Sequence, residues 1–426
     1  MLVGYWQNWT DSPITLRLSE TPGAFDVIDV AFATPSEPDG ATMRFVPDPG
    51  IYPTPEEFIE DIAALQSAGK TVLISIGGAA DPVIVDDPTN VAAFVASMTD
   101  ILETYGFDGI DIDLEGTSLY LEPGDDDFRS PTSPRIVYFI EAVSTLMDRF
   151  PNHVLSAAPE TAFVQGGYQT YGGIWGAYLP LIHALRDRLT FVHVQHYNTG
   201  SMFGRDGNIY EPATADFHVA MADMLLSGFT VDHWGNAVYF DPLRQDQVAI
   251  GLPAGPSAGG GYTPAEIVHR ALDLLVLGIP FGGRYELADP EGYPGFRGLM
   301  TWSINWDVYY DRAFSTVHRE YLDDLPVSSV STGGALDGSA SLVLQRCWPN
   351  PADDAVTVRF ELRRSAAVAF ALFDPQGRVV RRVQLRRRDV GFHSLRLVVA
   401  DLPSGIYPYR LRAGTDTRRG TIVVSR

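Results

Sequence analysis

The stretch Asp108-Gly109-Ile110-Asp111-Ile112-Asp113-Leu114-Glu115 alternates apolar and acidic residues with a strict period of two. That period belongs to a β-strand with two unlike faces, one greasy and one carrying Asp111, Asp113 and Glu115. Residues two apart on a strand lie roughly 7 Å from each other, so each carboxylate feels its neighbour and at least one pKa rises. A solvated acidic edge strand would also show such a row, but Asp is disfavoured in strands and the other face is wholly apolar. The stretch therefore reads as a buried carboxylate row at the carboxyl end of a strand.

A strand-helix rhythm surrounds it. Strands are expected at Leu2–Trp6, Val27–Ala33, Thr71–Ile76, around Asp111, and at Val154–Ala158, Phe191–Tyr197, Val248–Leu252 and Gly298–Ser303. Helical stretches fill almost every gap: Thr54–Ala68, with Thr54 as cap and Pro55 at the first position, then Asn90–Tyr105, Arg135–Arg149, Tyr178–Asp187, Thr214–Leu226 and Pro264–Leu277. Eight such units in residues 1–325 predict an α/β fold, a (β/α)8 TIM barrel with its site at the carboxyl ends of the strands. A doubly wound open sheet is the alternative, but no glycine-rich phosphate loop follows the first strand. Glu115, Glu160, Gln195, Tyr197, Asn198, Trp302, Asn305 and Trp306 then fall at or just past strand ends.

From Pro326 to Ser341 the composition turns to Ser, Thr and Gly, the texture of a linker. Residues 342–426 carry about seven short alternating runs divided by turn residues such as Pro375-Gln376-Gly377, which predicts a small immunoglobulin-like β-sandwich. Arg386-Arg387-Arg388 reads as a solvated turn.

Charge separates the two parts. Residues 342–426 hold 16 Arg against 7 acidic residues, leaving 15 basic and 46 acidic residues in 1–341. So acidic a body argues against nucleic acid or an anionic membrane as partner, and leaves a neutral polymer open. Lys70 is the sole lysine, a composition that fits adaptation to high salt. Cys347 is the sole cysteine, so there is no internal disulfide and no Cys-based metal site. No run of 18 apolar residues is present to insert in a membrane. The N-terminus opens on a strand, which fits either a cytoplasmic protein or one whose signal peptide lies outside this numbering.

The Asp-x-x-Asp-x-Asp-x-Glu spacing of Asp108–Glu115 resembles the catalytic signature of family 18 glycoside hydrolases, the chitinases and their relatives. Ser75-Ile76-Gly77-Gly78 on the third strand resembles that family's Ser-x-Gly-Gly motif, and Gln195-His196-Tyr197-Asn198 and Trp302 resemble its landmarks on strands six and eight. The residue types suit glycoside cleavage, which needs a carboxylic acid held protonated near neutral pH. The resemblance implies Glu115 as general acid and then base, with the substrate's own 2-acetamido oxygen as nucleophile, family 18 being among the substrate-assisted exceptions to the two-carboxylate scheme. It implies Asp113 orienting the acetamido N–H, Tyr197 bonding the acetamido oxygen, and Asp111 sharing a proton or hydrogen bond with Asp113. Asp108, of opposite parity, reads as structural, and Ser75 as a barrel-interior partner.

By the same resemblance Trp302 is the floor on which a sugar stacks. Tyr5, Trp6, Trp9, Trp175 and Trp306 are candidates for neighbouring subsites, and Gln195, Asn198 and Glu160 for bonding sugar hydroxyls. His193 and His196 form no recognised metal spacing with a nearby acid, so neither metal nor other cofactor is expected. About 45 residues separate strands seven and eight, too few for the extra α+β insertion found in some chitinases, which predicts an open groove suited to internal cuts. Trp348-Pro349-Asn350-Pro351-Ala352, Leu372–Arg378 and Leu402–Tyr407 resemble the C-terminal sorting domain of type IX secretion, with Tyr407 and Arg410 as framework; a carbohydrate-binding sandwich is the other reading. The resulting expectation is a secreted or cell-surface monomer acting on chitin or N-acetylglucosamine oligosaccharides and exported by the type IX machinery. An endo-β-N-acetylglucosaminidase on N-glycans and a non-catalytic chitin-binding lectin are the competing readings; a lectin of this kind typically lacks the terminal Glu that stands here at 115.

Overall fold

Apolar strands that alternate with amphipathic helices can bury both sheet faces only if the helices wrap the sheet. The computed structural model describes residues 1–36, 40–80, 82–233, 235–325, 342–362, 364–373, 378–388, 391–413 and 416–425. Contacts divide the chain into two units, Met1–Val327 and Ser328–Arg426. The expected linker at 326–341 and the turn at 375–377 lie outside the described residues.

In the first unit, strands β1 (Leu2–Gln7), β2 (Val27–Pro35), β3 (Thr71–Gly78), β4 (Gly109–Leu114), β5 (Val154–Ala157), β6 (Phe191–Gln195), β7 (Val248–Pro253) and β8 (Gly298–Trp302) pair in parallel in chain order. β8 pairs back onto β1, which closes the barrel. Helices α1 (Pro55–Ser67), α2 (Pro88–Tyr105), α3 (Pro134–Arg149), α4 (Leu179–Leu185), α5 (Ala215–Ser227), α6 (Ala265–Leu277) and α7 (Ala313–Asp324) follow β2 to β8 in order. Four of them, α1 to α4, start with Pro in the first turn, where the missing N–H costs nothing. Asp87 caps α2 by accepting from Asn90 N–H, and Gly106 ends it in the left-handed conformation. Between β1 and β2 there is only a single 3-10 turn, Leu18–Glu20. Among the described residues between β7 and β8, α6 is the only regular element. No helix of the described residues is long and apolar enough to cross a membrane.

The two-residue period of β4 sorts its side chains as its pattern requires. Ile110, Ile112 and Leu114 join the apolar layer between barrel and helices, while Asp111 and Asp113 point inward. The barrel interior contains a separate apolar cluster that includes Val3, Tyr5, Leu73, Phe191 and Met300. Asp108 precedes the strand and accepts from Val72 N–H at 2.8 Å, a staple between β3 and β4 and thus a structural role.

The second unit folds as two antiparallel sheets around one apolar core. One holds β9 (Leu342–Trp348), β10 (Ala355–Leu362) and β13 (Gly391–Val398); the other holds β12 (Val379–Arg388), β11 (Ala366–Phe373), β14 (Gly405–Ala413) and β15 (Asp416–Val424). Tyr407 donates to the Pro403 carbonyl at 2.8 Å and pins the turn before β14, while the Arg410 guanidinium lies over the Phe373 ring at 5.6 Å, both framework contacts. The run Arg386-Arg387-Arg388 is not a turn. It lies on β12, where Arg387 and Arg388 pair with Ala367 and Ala366 of β11, because arginine's long stem covers a sheet edge while its head stays in water.

The Ser-x-Gly-Gly motif at the end of β3 has a steric cause. Gly77 sits at φ +104°, and a Cβ there would lie 2.6 Å from the Asp113 carbonyl oxygen; a Cβ on Gly78, at φ +81°, would meet the Phe32 ring at 2.8 Å. Gly77→Ala should therefore destabilise the barrel by about 1–3 kcal/mol, read as a lower urea midpoint. An unchanged midpoint would contradict this close approach.

Candidate active site

Asp111 lies at the centre of the barrel, fully buried, with each oxygen accepting twice. Tyr5 Oη (2.5 Å) and Ser75 Oγ (2.8 Å) donate to Oδ2; Ser156 Oγ (2.7 Å) donates to Oδ1, where His193 Nε2 also lies at 2.8 Å. The register explains the two serines, since Ser75 and Ser156 are the β3 and β5 partners of Asp111 across β4. Burial alone would raise this carboxyl, but His193 and the hydroxyl donors hold it below the ordinary carboxylate range. The expected shared proton between Asp111 and Asp113 is corrected by this arrangement: four other donors occupy the Asp111 oxygens.

Asp113 instead belongs with Glu115. Gln195 Nε2 reaches Asp113 Oδ1 at 2.9 Å, Glu115 Oε1 at 3.2 Å and the Ala158 carbonyl at 2.9 Å, tying both carboxyls to one amide. Burial, and then the charges of Glu115, Asp111, Glu160 and Asp29, push Asp113 well above the usual range. Glu115, partly buried just past the end of β4, is raised by burial and held back by hydrogen bonds from Gln195 and Asp113. Glu160 is pushed up to about 7, by burial first and by the Glu115 charge second. The result is a pair of raised acids at the barrel mouth above a carboxyl held low.

A cleft of about 580 Å³ opens over this pair, and Glu115, Gln195, Tyr197, Asn198 and Trp302 line it. Tyr197 is buried beside the carboxylates, and burial followed by their charges raises its phenol well above the ordinary value. Asn198 takes φ +49° and exchanges hydrogen bonds with Gly260, its backbone N–H donating to the carbonyl and its Oδ1 accepting from the N–H. Behind Tyr197, His196 faces His218 at 3.2 Å, and His218 reaches Thr263 at 2.9 Å. Trp302 stacks on Phe32 with centroids 5.8 Å apart at 10°, and Trp9 flanks both.

Several sequence-derived subsite candidates are placed elsewhere. Trp6 points out of the barrel, fully buried against Tyr52 and Phe58 with its indole donating to the Leu16 carbonyl, so no sugar can reach it. Tyr5 points inward, but its hydroxyl is spent on Asp111 beneath the cleft, so it supports the carboxylates and does not form a subsite. Trp306 stacks with Tyr310 in the short helix Ile304–Tyr309, and Trp175 packs over Gly166; neither lines the cleft. Asn305 is buried and accepts from Gln7 N–H. Phe32, Asn8 and Asp11 line the cleft without having been singled out from sequence. The signal for Phe32 was its place near the end of β2, obscured because it sits in a run that reads as wholly apolar.

The histidine reading also changes. His193 Nε2 lies 2.8 Å from Asp111 and 3.9 Å from Asp29, and the three residues can bring one ligand atom each within 4.8 Å. Sequence spacing hid this because Asp29, Asp111 and His193 come from β2, β4 and β6. All three side chains are fully buried; four donors already satisfy Asp111, so Asp111 and His193 form a hydrogen-bonded support for the carboxylate row, with Asp29 at 3.9 Å from His193 Nε2. Asp29 is pushed well above the usual range by burial and by Asp111, and neither of its oxygens has a hydrogen-bond partner.

Residues 1–292 match the family model for glycosyl hydrolases family 18, and residues 346–425 match that for the secretion system C-terminal sorting domain. The chain is 54% identical over 327 residues to chitinase D of Niallia circulans, covering 76% of this chain and 62% of that protein. It is 42% identical over 326 residues to a probable class II chitinase of Arthroderma benhamiae, covering 74% of this chain and 96% of that protein. A family GH18 chitinase from Chromobacterium violaceum superposes with a TM-score of 0.69 at 40% identity, covering 76% of this chain and 83% of that one.

The buried acid Asp29 has a stability consequence. Its folded pKa lies above the unfolded value, so the folded state binds the extra proton and stability falls as pH rises above the unfolded pKa of about 3.9. Asp29→Asn removes that penalty: its Tm should exceed the wild-type Tm at pH 7 and match it at or below pH 4. A Tm gain that persisted unchanged at pH 4 would show that Asp29 is not held as the neutral acid.

Proposed function

The chain belongs to the glycosyl hydrolases family 18, and from that premise we propose that it hydrolyses β-1,4 linkages between N-acetylglucosamine units of chitin, with retention and by substrate assistance. The observation that carries this reading is the Gln195-bridged pair of Asp113 and Glu115 facing a cleft floored by Trp302. Chitin is favoured over N-glycans by the relatives at 54% and 42% identity, which are named as chitinases.

Free, the protein keeps the shared proton on Asp113. An acetamido N–H that donates to Asp113 favours the ionised carboxylate, so the proton passes to Glu115. Glu115 then protonates the glycosidic oxygen as the bond to the anomeric carbon breaks. The acetamido carbonyl oxygen attacks that carbon from the opposite face and forms an oxazolinium ion, whose charge Asp113 offsets and whose oxygen Tyr197 bonds. Glu115, now anionic, takes a proton from water as the water opens the ring, which restores the acid and retains the configuration. Asp111 contributes by staying charged and immobile beneath Asp113.

The absence of a second regular element between β7 and β8, among the described residues, supports an open groove and internal cutting of the chain. The match of residues 346–425 supports export through a sorting tail, of the type IX kind by its sequence motifs.

Glu115→Gln should lower turnover of chitin oligomers by about 10²–10⁴-fold, with a high-mannose glycopeptide left uncut by either form. Undiminished turnover would falsify the general-acid role. NMR recorded at once on the wild-type product should show the β-anomer first; an initial α-anomer rules out substrate assistance. Glu160→Gln removes a charge that raises Asp113, so the alkaline limb of kcat/KM should move to lower pH. Because Glu160 itself ionises only at about pH 7, the acid limb should stay in place; an unmoved alkaline limb would exclude Glu160 from this electrostatic unit.

A further inference from the structure

A second cavity in the catalytic unit, of about 730 Å³, shares no lining residue with the cleft. Tyr168 and Gln169, beyond β5, and Phe203, beyond β6, form one side of it. The other side is a hairpin inserted between α5 and β7, in which Phe229–His233 pairs antiparallel with Asn236–Phe240. The hairpin has two unlike faces. Phe229, Val231, Val238 and Phe240 are buried against the barrel, whereas Thr230, Asp232 and Tyr239 are exposed, with Thr230 directly across from Tyr239.

Tyr239 keeps half of its surface in solvent, at 52% exposure, yet its hydroxyl donates to the Ser227 carbonyl at 2.7 Å. Its ring face is therefore held open and fixed, which removes the ordering cost a loose tyrosine would add on binding. Across the cavity, Tyr168 and Phe203 lie 6.4 Å apart, tilted by 38°. Rings of this kind accept the C–H face of a pyranose, and Gln169, Thr230 and Asp232 supply neutral and acidic partners for its hydroxyl and amide groups.

Other ligand classes fit poorly. Arg205, the one cation among the described lining residues, is already bonded to Asp223 and to the Glu286 carbonyl, so among them no spare positive charge addresses a phosphate or sulfate. The 46 acidic residues against 15 basic ones in residues 1–341 repel nucleic acid. The mixture of rings with carboxylate, amide and hydroxyl groups is too polar for a lipid tail. We propose that this hairpin face is a second, non-catalytic site for a β-linked N-acetylglucosamine chain, holding insoluble polymer while the cleft cuts; it rests on the chitin reading above.

The test uses the full chain. Binding to insoluble chitin is measured in a Glu115→Gln background, so that no substrate is consumed, and hydrolysis of a soluble chitin trimer is measured with Glu115 intact. Tyr239→Ala and, separately, Thr230→Arg, which fills the cavity from an exposed position, should each weaken chitin binding by roughly three- to tenfold. Both should leave trimer kcat/KM within about twofold, since neither residue touches the cleft. Chitin binding unchanged in folded Thr230→Arg overturns the site, even if Tyr239→Ala disturbs the hairpin; so does an equal loss in binding and in trimer turnover. Failure of the wild type to cleave the trimer would instead reject the chitin reading itself.

Discussion

The catalytic unit depends on one buried anion. Asp111 has no solvent, and an isolated carboxylate in such a place would protonate before it stayed charged. Here Tyr5 from β1, Ser75 from β3, Ser156 from β5 and His193 from β6 surround it, so that half the barrel strands contribute to a single charge. The interaction has a double effect. It fixes the register of β3, β4 and β5, because a slip of one residue would turn Asp111 out into the apolar helix layer. It also sets the electrostatics of everything above.

Burial first, and then the charges of Glu115 above and Asp111 beneath, push the Asp113 carboxyl well above the usual range. Gln195 then joins that acid to Glu115, its amide N–H group donating to one oxygen of each carboxyl. The order of roles along β4 is therefore a gradient of solvation. Asp111 is buried and held low by its donors, Asp113 is buried and pushed up by burial and by its acidic neighbours, and Glu115 lies at the mouth. Placing three acids two residues apart produces three different groups because the surroundings change every 7 Å or so.

The barrel was legible from sequence because its signals are local: a period of two, proline at helix starts, and glycine where φ is positive. The carboxylate row and the Ser-x-Gly-Gly, Gln-x-Tyr-Asn and Trp landmarks were legible for the same reason. What sequence could not supply was parity on β1, a strand apolar on both faces. Tyr5 and Trp6 look alike as neighbours, yet one turns in to Asp111 and the other out to Tyr52 and Phe58. Asp29 and His193 were missed because their meeting spans β2 to β6, and spacing along the chain says nothing about proximity across a barrel. Arg386-Arg387-Arg388 reads as a turn in sequence because its charge density resembles solvated loop, although the stems of Arg387 and Arg388 fit an edge strand.

Under the proposed chemistry the same carboxylate pair also limits which polymers the protein can cut. Asp113 is protonated in the free site, so an incoming sugar must supply a reason for it to ionise. An acetamido N–H does so by donating to the carboxylate, whereas a 2-hydroxyl group offers a weaker donor and no carbonyl to attack the anomeric carbon. Cellulose and xylan would thus dock on Trp302 and Phe32 as easily as chitin, since ring stacking does not read the 2-position. They would leave Asp113 neutral and Glu115 without its proton. Selectivity then resides in proton placement and not in the shape of the aromatic floor, and it follows from the burial and the charges of Glu115 and Asp111 that raise Asp113 until an amide arrives.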